Sequence, residues 1–235
     1  MATLITDLIV YFRGASATGP LQPEDVFPTS RLAVYNGKAP QANRQVVRIG
    51  STTNTIREAS AGLIEDTMNK MRAALRDQIL GRIFIYGSSS GGRNAIDLAV
   101  KLSNNNKLTN YLGVLDAAFF PNETTTKAPS DPLKDAPVFD VPFLTVFKKQ
   151  NFYQLAGNDT KMTFHGMMFT SEMPNQEIHG KISGFNDNVD LTDETVQAAG
   201  IERFRAARGA SYHGKCIELA VPKAHSAISL LLNNF

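Results

Sequence analysis

Apolar residues along this chain fall into short unbroken blocks separated by stretches where they recur every three or four positions. The blocks are "DLIVYFRG" (Asp7 to Gly14), "RIFIYG" (Arg82 to Gly87), "NYLGVLDAAFF" (Asn110 to Phe120) and "DVPFLTVFKKQ" (Asp140 to Gln150). Their β-branched and aromatic content predicts buried strands. "RQVVRIGS" (Arg44 to Ser51) is a weaker strand candidate. Between Thr55 and Leu80, Ile56, Leu63, Ile64, Met68, Met71, Leu75 and Ile79 fall at helical spacing, and Gly81 is placed to stop that helix. "GGRNAIDLAVKLSNN" (Gly91 to Asn105) and "DETVQAAGIERFRAARG" (Asp193 to Gly209) predict two more helices. The end of the chain, "KCIELAVPKAHSAISLLLNNF", reads as a strand, a short loop and a terminal helix. Strands alternating with helices in this way predict an α/β protein with a mostly parallel sheet.

Pro121 to Pro142 is rich in Pro, Thr, Asp and Lys and is expected to be an inserted surface loop. Asn151 to Gly214 is looser in pattern, with Gly, Asn, Asp and three of the four histidines. No internal repeat and no low-complexity tract interrupts the chain, and 235 residues suit a single domain spanning 1–235.

Composition narrows the function classes. Lys+Arg 24 against Asp+Glu 22 leaves a formal charge of +2 with the cations scattered, which argues against nucleic acid and anionic membrane as partners. One cysteine, Cys216, allows neither an internal disulfide nor a cysteine-built metal site. The opening "MATLITDLIVYFRG" lacks early basic residues and does not read as a signal peptide, and no run approaches a membrane span. The expected location is the cytoplasm, or outside the cell by a route without a cleaved signal.

The chemistry is expected at "RIFIYGSSSGGRN", where a strand gives way to a helix through three glycines and three serines. Ligands sit at such junctions in α/β sheets. A phosphate-binding P-loop needs Gly-Lys-Ser/Thr where Arg93 and Asn94 are sought, and the glycines do not space as a dinucleotide fingerprint. Gly87-Ser88-Ser89-Ser90-Gly91 does fit G-x-S-x-G, a nucleophile elbow with Ser89 at its apex. A glycine-rich turn chosen for packing is the competing reading.

With that motif between a strand and a helix, the chain resembles the α/β-hydrolase superfamily, in particular its lipase and esterase branches. The resemblance implies a three-layer α/β-hydrolase fold, a mostly parallel central sheet with helices on both faces, and a triad in the order nucleophile, acid, histidine. The acid is expected to be Asp116. "GVLDAA" is similar to the acid-bearing strand end of pancreatic-type lipases and of bacterial type VI phospholipase effectors; Asp159 in "LAGNDT" is the alternative. His225 in "VPKAHSAISLLL" takes the family's histidine position, ahead of His213, His165 and His179. The backbone N–H groups of Ser90 and of Gly14 or Ala15 are the implied oxyanion donors. The implied activity is hydrolysis of a small-molecule or lipid carboxylic ester through an acyl-enzyme on Ser89, without metal or organic cofactor. A non-catalytic binding protein on the same scaffold is the other reading. Met162 to Phe169 read either as an acyl-chain wall or as an ordinary core strand.

Overall fold

The structure is a computed structural model, and it describes residues 4–14, 26–52, 61–117, 125–127, 138–142, 144–155, 180–199 and 208–234. Strand β1 (Ile5–Arg13) is buried along nearly its whole length. It lies between β2 (Arg44–Thr52) and β3 (Ile79–Ser88), parallel to both. The sheet continues in parallel through β4 (Thr109–Leu115), β7 (Val146–Tyr153) and β9 (Asp187–Asp190). Its order is β2-β1-β3-β4-β7-β9.

Because side chains alternate across a strand, β1 feeds two cores. Leu8, Val10 and Phe12 face one side, where they pack with Ile64 and Met71 of α2 (Ala61–Leu75) and with Ala95, Leu98 and Leu102 of α3 (Ser90–Asn104). Ile9 and Tyr11 face the other, against Tyr35 of α1 (Ala33–Lys38) and the stripe Cys216, Ala220, Ala224, Ile228 and Leu232 of α5 (Arg208–Asn233). Helices therefore cover both faces of a parallel sheet, and the α/β class read from the sequence is the class observed.

Four details differ from the sequence reading. Helix α2 ends at Leu75, and Arg76 (φ 44°) provides the left-handed turn after it. Gly81 lies instead inside β3, where a register shift opposite Thr6 to Leu8 brings its backbone against the Asp7 carboxylate. The segment expected to be only a surface loop contributes β5 (Thr125–Lys127) and β6 (Val138–Phe139), which join β8 (Lys181–Ile182) in a small second sheet, and Phe139 is buried in the core. The strand expected over Asp140 to Gln150 is β7, which starts only at Val146. Last, "KCIELAV" is helix, not strand: it belongs to α5, whose buried residues repeat every four positions. The short α4 (Thr192–Ala199) packs against α5, while 200–207 of the helix expected there lie outside the described residues.

Candidate active site

In a doubly wound sheet of this order the chain leaves β1 in one direction to form β2 and in the other to form β3. The carboxyl ends of β1 and β3 thus flank the point where the order reverses, which is where such sheets hold ligands. Gly14 follows β1 there and Ser89 follows β3.

Ser89 stands between β3 and α3 with φ 56° and ψ −133°, a conformation that side-chain-bearing residues rarely adopt. The sequence supplies the space for it. A Cβ at Gly87 would sit 2.1 Å from the Gly91 carbonyl oxygen, and one at Gly91 would sit 2.3 Å from the Phe12 carbonyl oxygen. No residue but glycine fits either place. The turn is tied down by Ser89 N–H donating to Leu115 O at 3.0 Å and by Gly92 N–H donating to Ser89 O at 2.9 Å. Ser90 is the first residue of α3, so its N–H lies at the positive end of that helix. Gly14 is packed directly on the serine, since a Cβ there would be 2.6 Å from Ser89 Cβ and 3.1 Å from Ser89 Oγ. Ser88, pointing to the opposite face, shares a hydrogen bond of 3.0 Å with the Tyr11 hydroxyl.

Asp116 follows β4, the strand beside β3, and it too has a positive φ, 46°. Its N–H donates to Phe152 O at 2.6 Å and its carboxylate is fully buried. His213 Nδ1 lies 2.7 Å from Asp116 Oδ2. With a carboxylate as acceptor, that nitrogen carries the proton and Nε2 is left as the basic nitrogen. Gln154, just past β7, donates its backbone N–H to Oδ1 and its side-chain amide to Oδ2, each at 3.3 Å. Cys216, one turn beyond His213, is fully buried. Burial first, then the Asp116 charge, pushes its thiol well above the usual range, so it is not a thiolate at neutral pH.

His225 is elsewhere. It lies inside α5 rather than on a loop ahead of a helix, twelve residues past His213 and therefore about 18 Å further along the axis. Its Nε2 is 3.1 Å from the Tyr86 hydroxyl, and its ring makes edge contacts with Phe27 and Tyr86. Burial, with a smaller contribution from Arg31, lowers its pKa to about 4, so it is neutral at pH 7. The sequence reading of His225 as the partner of Asp116 is corrected: His213 occupies that place. The misreading followed from the one about "KCIELAV". Once that stretch is helical, the histidine at the carboxyl edge of the sheet is the one near the start of α5. The four-residue spacing of Cys216, Ala220, Ala224, Ile228 and Leu232 was the available signal, masked by Pro222 and by the β-rich "CIELAV".

Gly14, Ser89, Ser90 and Asp116 are thus brought together at adjacent strand ends, with His213 on the carboxylate. Ala15, Asp159, His165, His179 and Met162 to Phe169 lie outside the described residues. Among the described residues there is no cluster of three or more His, Cys, Asp or Glu side chains fit to hold a metal ion, and no helix long and apolar enough to cross a membrane.

No protein-family model matches the chain, and no curated protein matches it. Among solved structures, the chain is similar to the NocB thioesterase domain in its covalent complex with a fluorophosphonate nocardicin G analog. The two share 11% identity over 92% of this chain and 94% of that one, with a TM-score of 0.35.

Proposed function

We propose that the protein is a serine hydrolase that cleaves carboxylic esters through an acyl-enzyme. The observation that carries this reading is a strained serine at the strand-order reversal, held one strand away from a buried aspartate–histidine pair. In this mechanism Ser89 Oγ attacks the acyl carbonyl carbon and His213 Nε2 takes its proton. Asp116 keeps the His213 proton on Nδ1 and stabilises the imidazolium that forms. The N–H groups of Ser90 and Gly14 receive the oxyanion, each such donor being worth about 3–4 kcal/mol in the transition state. His213 then protonates the leaving group, and water, activated by the same nitrogen, hydrolyses the acyl-serine. Ser89 and Asp116 keep the roles the α/β-hydrolase resemblance assigns them, whereas His213 replaces His225.

Fluorophosphonate labelling tests the assignment directly. Wild type is expected to label stoichiometrically, Ser89→Ala and His213→Ala to lose labelling while remaining folded, and His225→Gln to retain it. Labelling that survives Ser89→Ala would sink the elbow assignment. Labelling that survives His213→Ala but not His225→Gln would return the base to His225. A folded wild type that never labels would favour a binding protein on the same scaffold.

A further inference from the structure

We propose that Gln154 is a positioning residue of this site, holding the Asp116 carboxylate aimed at His213. The inference rests on the hydrolase reading for its consequence in catalysis, but its geometry stands independently of it. Gln154 is fully buried, a place where an amide persists only with its hydrogen-bonding groups matched. It reaches both oxygens of one carboxylate, Oδ1 through the backbone and Oδ2 through the side chain. Asp116 returns the contact to the same strand end, its N–H donating to Phe152 O two residues earlier. The carboxyl terminus of β7 therefore clamps both the left-handed backbone of Asp116 and its carboxylate.

The charge environment explains why such a clamp matters. Cys216 faces Asp116 from α5 as a neutral thiol. Asp190, at the end of β9, adds a further negative charge near Cys216 and bonds Tyr153. Tyr212, beside His213, is buried. Neutral hydrogen-bond donors on its oxygens stabilise a buried carboxylate in such a setting. Oδ2 accepts from the Gln154 amide and from His213 together, so the amide also limits the directions from which the imidazole can approach.

The test is proton NMR of the full chain at neutral pH, following the low-field resonance of His213 Nδ1–H, assigned by its disappearance in His213→Gln. Gln154→Leu, close in size and without donors, is expected to exchange that proton at least roughly tenfold faster with solvent. It is also expected to lower kcat on an activated ester by roughly 10- to 50-fold with little change in KM, the loss corresponding to one hydrogen bond to a charged group. Should Gln154→Leu fail to fold, Gln154→Asn keeps the polar head but is one methylene too short, and the same two readouts apply. A folded variant with the resonance and kcat unchanged would overturn the proposal. A disturbed resonance in a protein that never labels with fluorophosphonate would keep the positioning role and discard the hydrolase reading.

Discussion

Two non-glycine residues with positive φ, Ser89 and Asp116, end neighbouring strands of the sheet. Strain of this kind costs on the order of 1–3 kcal/mol per residue and persists where surrounding contacts over-determine it. At Ser89 those contacts are Gly14 packed on its side chain and the backbone hydrogen bonds to Leu115 and from Gly92. Gly14 gives the sharpest prediction, because a methyl group there would collide with Ser89 Cβ at 2.6 Å. If the proposed hydrolase reading holds, Gly14→Ala is expected to lower kcat/KM about 10²-fold by displacing Ser89. Steady-state kinetics beside a thermal melt checks this, and full activity in the variant would remove Gly14 from the site. Ser89 and its glycines were legible in the sequence because the constraint is steric and local. Which histidine of α5 meets Asp116 was not, since only the course of that helix separates His213 from His225.

Helix α5 shows how an element hides from pattern reading. Its buried stripe is regular, yet Pro222 lies within it, and a proline there cannot donate to the carbonyl four residues earlier. Ser226 Oγ donates to Pro222 O at 2.8 Å and Arg31 to Ser226 Oγ at 3.0 Å, so polar side chains support the chain around the break. Pro222 is exposed, so its replacement leaves no hole in the core. Pro222→Ala should raise stability by about 1 kcal/mol, roughly 2–4 °C in Tm, the restored hydrogen bond being partly offset by a more flexible unfolded chain. Differential scanning calorimetry decides the sign. A lower Tm would mean that the proline fits α5 to the sheet where His225 meets Tyr86.

The whole molecule is fastened at the edge of the sheet opposite the site. Asp7, fully buried, accepts from Arg44 Nη2 at 2.6 Å, from Arg82 Nη2 and the Arg82 backbone N–H at 2.7 Å, and from the Tyr35 hydroxyl at 3.1 Å. Arg82 also donates to the carbonyls of Leu231 and Leu232, closing the end of α5. One carboxylate thus links β1, β2, β3, α1 and, through Arg82, α5. Burial alone would raise the Asp7 pKa, but the hydrogen bonds from Arg82 and Arg44 outweigh it and hold it below its usual 3.8. The unfolded chain then binds this proton more readily than the folded one. The stabilisation is therefore complete above about pH 4 and is lost as pH falls through the folded value. Asp7→Asn is expected to cost about 3–5 kcal/mol at pH 7 by removing the charge to which two half-buried arginines donate, and to flatten that acid dependence. Urea titrations of both proteins between pH 2 and 7 test it, and parallel pH curves would show that Asp7 is not the group responsible.

The alternation of strands and helices, the α/β class and the glycine-lined turn at Ser89 were determined by the sequence itself. Each rests on contacts between residues close along the chain: side-chain period, turn sterics and strand propensity. The register of β1 between β2 and β3, the seat of Asp116 against Gln154 and the pairing of Asp116 with His213 were decided only by the tertiary structure. Asp116 and His213 are 97 positions apart, and whether they meet depends on where α5 crosses the sheet. That crossing is fixed by packing its stripe of small and branched residues onto Tyr11, Tyr86 and Tyr111, and by Arg82 holding its far end. Burial of a helix face selects its position through the sum of many contacts, and no local pattern around either residue encodes that sum.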